Sequence, residues 1–137
     1  MEKIYDENCV LTLEDIVFDK ISFSRKDFKS DREPTFSFEI SAGKRADEDV
    51  YKVTILMSVE KEKEYEIEIS LSGFFSINTG ALDENIDISE LISKNTVAIL
   101  MPYMRSELSL LTAQPGMECI VMPPINVNTM MEHARRN

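Results

Sequence analysis

The sequence predicts an α+β fold: a four-stranded antiparallel sheet followed by a long kinked helix and a short C-terminal helix. Three observations predict it. Apolar and polar residues alternate in the first part of the chain, most regularly in Tyr65–Ile77, YEIEISLSGFFSI. Such a period of two marks strands with one face in a core and one in water. After Ile77 the alternation gives way to a long apolar segment of helical character. The connections between the alternating stretches are short and polar, as antiparallel neighbours require. A chain of 137 residues fits one domain spanning 1–137.

The first element falls within Leu11–Ser24. Ile21 and Phe23 alternate with Lys20, Ser22 and Ser24 as a half-buried strand, while the upstream LTLEDIVF reads equally as strand or helical turn. RKDFKSDREP, residues 25–34, is a polar connection whose one large apolar residue is Phe28. An isolated loop aromatic either packs back on its own domain or meets a partner. The second strand is Thr35–Ala42, with Phe36, Phe38, Ile40 and Ala42 on one face. The third is Val50–Val59, with Tyr51, Val53, Ile55, Met57 and Val59 on one face. EKEKE leads from it into Tyr65–Ile77. There the wet face carries Glu64, Glu66 and Glu68 in a row. Neighbouring carboxylates repel, so this row points to solubility or to a basic partner.

Asp87 with Glu90 three residues on approximates a capping box, and the helix is expected over Ile88–Thr112. Its middle, VAILMPYM (97–104), is apolar nearly all round. One sheet covers one side only, so a second copy of the chain is expected against Val97, Ile99, Leu100, Met101, Tyr103 and Met104. Pro102 removes one backbone hydrogen bond and should bend the helix. Gln114-Pro115-Gly116 ends it, MECIVMPP is extended, and Asn126 or Asn128 caps a last helix over about Val127–Arg136.

Charge and composition exclude several classes. A net charge of -10 opposes nucleic acid, because phosphate would be repelled, and it suits a protein that stays dispersed while exposing apolar surface. The N-terminus MEKIYDENCV has no signal-peptide pattern, and no apolar run reaches the roughly 18 residues of a membrane span. Cys9 and Cys119 read as separate thiols of a cytoplasmic protein. His133 is the one histidine and lacks triad or metal partners, and neither phosphate-binding glycine motif is present. Same-face glutamates on a strand lie about 7 Å apart in a flat row, which does not wrap calcium. No enzyme, cofactor or metal is therefore expected. What stands out is methionine, eight in all, with Met101, Met104, Met117, Met122, Met130 and Met131 in the second half. Methionine adapts to partners of varied shape. The Met130–Met131 pair, on a short helix beside Pro123-Pro124, suits the lining of a peptide groove.

Four features together resemble the protein-export chaperone family SecB. They are the four alternating strands, the GFFSI close of the fourth, the helix core AILMPYMRSELSLLT and the exit VMPPINVNTMM. The family's Pro-Tyr-x-Arg is matched by Pro102, Tyr103 and Arg105, and DKISFS is similar to its first strand. The likeness runs from about Phe18 to Ala134. It implies a homotetramer, a dimer of dimers with helices sandwiched between sheets. It also implies ATP-independent holding of unfolded precursor proteins for delivery to the translocation motor SecA, without membrane insertion. Client grooves implied by the resemblance involve Phe23, Phe28, Ile67, Ile69, Leu71, Val127, Met130 and Met131. The motor-docking acidic face would be Glu64, Glu66 and Glu68, of which Glu68 matches a family position. Lys20 and Ser24 stand where the family carries acids, and the sequence stops at Asn137, short of the extension many members use for the motor. Relatives also serve as dedicated chaperones of antitoxins. A protein-interaction scaffold using the sheet edge and the acidic face is the reading from a different class.

Overall fold

A computed structural model describes residues 11–44, 50–77 and 88–124, with helix side chains from Ser93 onward. The expected cap at Asp87, the last helix with its Asn cap, Cys9 and His133 lie outside the described residues. Strands β1 (Leu11–Arg25), β2 (Thr35–Lys44), β3 (Val50–Lys61) and β4 (Tyr65–Ile77) precede helix α1 (Ile88–Thr112). They form one sheet in the order β1-β4-β3-β2, every neighbouring pair antiparallel. β2–β3 and β3–β4 are hairpins. β1 lies beyond β4, so the connection from Arg25 to Thr35 must cross the turn that joins β3 to β4, because Arg25 and Lys61 both pair with Tyr65 while Thr35 pairs with Glu60.

β1 is a single strand of 15 residues, and its LTLEDIVF part resolves as strand. Two bulges explain the ambiguous pattern. Leu13 and Asp15 face successive residues of β4, as do Phe18 and Lys20, leaving Glu14 and Asp19 as the extra residues. Each bulge resets the alternation, so Leu11, Leu13, Ile16, Phe18, Ile21 and Phe23 share the inner face although their spacing is uneven. Both extra carboxylates are used on the outer face. Glu14 Oε1 accepts from Ser76 Oγ at 2.7 Å, and Asp19 accepts from Ser72, which is itself 2.8 Å from Thr54 Oγ1.

The core lies between the inner sheet face and α1. Val53, Ile55, Met57 and Val59 of β3 and Ile67, Ile69, Leu71 and Phe75 of β4 are fully buried there with Val97, Leu100, Met104 and Leu108 of the helix. Gly73 allows the close approach: a Cβ on it would lie 2.6 Å from Leu100 Cδ2 and 2.8 Å from Phe75 Cε2. α1 is unbroken through Pro102, which is exposed together with Ala98, so the carbonyl deprived of its donor sits on the solvent side. The expectation that Val97, Leu100, Met101 and Met104 meet a second copy is corrected by this packing. Their side chains point at the chain's own sheet, and only Ile99, half-buried, and Tyr103, exposed, face away from the innermost packing.

Past Thr112 the chain turns at Gln114–Met117, where Met117 N donates to Gln114 O at 3.3 Å and Gly116 has φ of 80°. Proline at the second position and a left-handed glycine at the third make this a type II turn. The extended segment that follows is tied back to α1 by hydroxyls. Thr112 Oγ1 accepts from Ile120 N at 2.9 Å and donates to Leu108 O at 2.8 Å, and Ser109 Oγ donates to Ile120 O at 2.8 Å. Met122 is thereby held in the core.

Candidate functional site

The inner sheet face is wider than the helix that covers it. Strands lie about 4.8 Å apart and a helix is about 10 Å across, so one helix shields roughly two strands. α1 lies chiefly over β4, reaches β3 and β1 less, and reaches β2 least. The inward residues of the outer strands are left partly open: Phe18 and Ile21 on β1 are 37% and 43% exposed, and Phe36 on β2 is 40% exposed. On the helix itself Tyr103 and Leu110 face solvent. The result is an apolar margin on each side of the helix. Scattered exposed apolar residues are ordinary, but here they occupy one register position or adjacent ones beside a continuous core.

Of the expected client residues that the structure describes, Phe28 is the most accessible at 61% exposure. It sits in the β1–β2 connection with Lys29 Nζ 5.5 Å from its ring centroid, and it lines a cavity of about 490 Å³ with Ser30, Lys61, Glu64, Gly116 and Met117. Phe23 is half-buried, its ring 5.8 Å from that of Tyr65 and under the Arg25 guanidinium at 5.6 Å. Ile67, Ile69 and Leu71 are corrected: they are 1% exposed or less, being the part of β4 that α1 covers. A client cannot touch them without displacing the helix. Val127, Met130 and Met131 lie outside the described residues. Phe18, Ile21 and Phe36 are surface residues that sequence reasoning missed. Alternation told that Ile21 and Phe36 point inward, but it carries no information on how far the cover extends.

The acidic face is also redrawn. Glu66 and Glu68 do lie on the outer face, where they line a trough of about 450 Å³ with Ser22, Ser24, Ser37 and Ser58. Each has a cation. Lys20 Nζ is 2.5 Å from Glu68, and Lys26 Nζ is 2.7 Å from Glu66 and 3.7 Å from Glu60. Glu60 and Glu66 are directly opposite across β3 and β4, so Lys26 relieves a like-charge pair. The Glu66 carboxylate beside it raises the pKa of the Lys26 ammonium. Glu64 is not on this face. It sits in the β3–β4 turn, 2% exposed, because Lys63 in the left-handed region at φ 68° breaks the alternation just before β4 begins. The crossing connection then covers it.

Among the described residues no group of three or more His, Cys, Asp or Glu could hold a metal ion, and no helix is long and apolar enough to cross a membrane. The family model described as preprotein translocase subunit SecB matches residues 10–137. An uncharacterized protein of Methanocaldococcus jannaschii is 34% identical over 93 residues, covering 68% of this chain and 50% of the relative, so the chain spans about half of that protein's length. The fold is similar to that of the SecB-like chaperone Rv1957 of Mycobacterium tuberculosis, solved with a ChAD peptide from the HigA1 antitoxin. The TM-score is 0.69 at 13% identity, covering 85% of this chain and 88% of that one.

Proposed function

The chain belongs to the SecB family of chaperones, and from its surface we propose that it holds non-native polypeptides without ATP, in the cytoplasm, along the apolar margins beside α1. The observation that carries this reading is the pair of half-exposed inner-face margins, Phe18 and Ile21 on one side and Phe36 on the other, with Phe28 at the end of the sheet. Apolar contact contributes about 25 cal/mol per Å² removed from water and has no direction, so it tolerates many client sequences. Phe23 borders this surface, and the expected Val127, Met130 and Met131 would extend it. β2 adds an open strand edge, which an extended chain can use for main-chain hydrogen bonds. In this reading the protein is a homo-oligomer, joined through Tyr103, Leu110 and Ile99 on the side of α1 turned away from the sheet.

One observation favours a second reading of the partner. The carboxylates expected to dock the export motor are neutralised within the chain, Glu68 by Lys20 and Glu66 by Lys26, and Glu64 is buried. Carboxylates already paired within the chain offer a basic motor surface less than unpaired ones would. Service to a dedicated client, as with the antitoxin peptide of the Mycobacterium tuberculosis neighbour, fits this better than delivery to SecA. The test is suppression of aggregation, followed by light scattering on an unfolded protein, with wild type and Phe28→Asp. Wild type should slow aggregation. The variant should bind client several-fold more weakly, a loss of about 1 kcal/mol for a partly buried aromatic. A wild-type protein without affinity for any unfolded chain, but with one folded partner, would establish the scaffold reading instead.

A further inference from the structure

The crossing connection between β1 and β2 is held at two places by one residue. At its start, the main-chain carbonyl of Glu64 accepts from Lys26 N at 2.8 Å and from Asp27 N at 3.2 Å. Further on, the Glu64 carboxylate accepts from Ser30 N at 2.9 Å. Phe28 and Lys29 lie between these fastenings and form one wall of the cavity that Gly116, Met117 and Glu118 close from the other side. The two anchors differ in kind. The first is made by a main-chain carbonyl and is indifferent to pH. The second is stronger when the carboxylate is ionised, since a charged acceptor makes a stronger bond to an amide than a neutral one. Arg25 Nη1 donates to Asp27 O and Phe28 O, each at 3.2 Å, so the strand end grips the near part, while the far part beyond Ser30 has the exposed Arg32–Glu62 pair at 3.8 Å.

We propose that the β1–β2 connection is a hinged flap closed by the Glu64 carboxylate: Lys26 and Asp27 are its hinge, Ser30 its catch, and Phe28 the side chain it carries. The surroundings of the carboxylate determine when it opens. Lys61 Nζ at the end of β3 is 3.1 Å away, and the Arg25 guanidinium of β1 adds positive charge. Tyr65 of β4, Lys29 of the connection itself and Glu118 beyond α1 also face this cavity or its edge, while Lys26 is committed to Glu66 and Glu60. Burial pushes the Glu64 carboxyl up, but the Ser30 amide, Lys61 and Arg25 outweigh it and hold it below its ordinary value of 4.5. A depressed carboxylate contributes fully above its unfolded pKa and ceases to contribute as the pH falls through the folded one. The flap is therefore closed at neutral pH. The catch weakens, and the flap opens more readily, as the pH falls through the depressed Glu64 pKa or when the negative charge is removed.

The test is amide hydrogen exchange on the 15N-labelled full chain, wild type and Glu64→Gln, from neutral pH downward. The glutamine keeps the shape and loses the charge. In wild type, protection at Ser30 should be lost as Glu64 protonates. Lys26 and Asp27 should keep theirs. In Glu64→Gln, Ser30 should show the low protection at every pH, again with Lys26 and Asp27 retained. Should the variant not fold, the wild-type titration decides alone. Unchanged Ser30 protection after protonation or substitution would overturn the catch, and loss at Lys26 and Asp27 in step with Ser30 would overturn the hinge.

Discussion

β1 and β2 end the same sheet on opposite sides, and they end it differently. β1 carries two bulges, and its extra residues Glu14 and Asp19 are acidic and engaged with serines of β4. β2 pairs with β3 through ten consecutive partners, Thr35 with Glu60 to Lys44 with Tyr51, without an interruption. Bulges and charges are devices that keep an edge from adding another strand. β1 has both, whereas β2 has only Glu39 near its middle and Lys44 at its end. Two copies meeting antiparallel about the middle of β2 would bring their Glu39 side chains together at the seam. The edge is thus hindered against its own kind yet open to a strand of other composition, especially one with a lysine or arginine at that point.

Deletions give the sharpest contrast. Removing Glu39 shifts one half of a regular strand by a residue and turns either Phe36 and Phe38 or Ile40 and Ala42 to the wrong face. The expected loss is about 4 kcal/mol or more in a urea unfolding curve. Removing Asp19 only erases a bulge and keeps Phe18 opposite Leu71. Its cost should be about 1–2 kcal/mol, for the acceptor lost to the buried Ser72 hydroxyl. Equal losses would mean that the bulges do not set the register.

A smaller effect tests the guard on β2. Glu39→Val should leave stability within about 0.5 kcal/mol, since the site is exposed. It should add a concentration-dependent larger species in sedimentation velocity, and an unchanged profile would show that Glu39 does not keep copies apart. The smallest effect belongs to the outer face. Lys20→Met should cost at most about 1 kcal/mol, the range of exposed ion pairs, and less in high salt. Its value is in binding: freeing Glu68 should strengthen the attraction of a basic peptide to this face if charge balance now weakens it.

The two edges also show what the sequence could and could not disclose. β4 and α1 were legible as Tyr65–Ile77 and about Ile88–Thr112, because an alternation broken only around Gly73 and a long apolar segment before Gln114-Pro115-Gly116 leave no competing reading. β1 was legible only from Lys20 on, since each bulge advances the pattern and a fixed period of two cannot follow it. The misplacement of Glu64 came from continuing the alternation one residue past the strand into a turn with a left-handed Lys63. The fold family was legible from the helix core and its exit. The site was less so. Ile67, Ile69 and Leu71 and the exposed Phe18, Ile21 and Phe36 all point inward, and what separates them is the width of a single helix, which no local pattern encodes.

Gly73 has one more implication. The spacing between the two layers is set by an atom that is missing: Leu100 occupies the room a methyl group would need. Any side chain placed there acts as a wedge under the middle of α1, and lifting the helix at Leu100 widens the trenches along both its flanks at once. The depth of those trenches is in this sense adjustable from a single position that never touches what they hold.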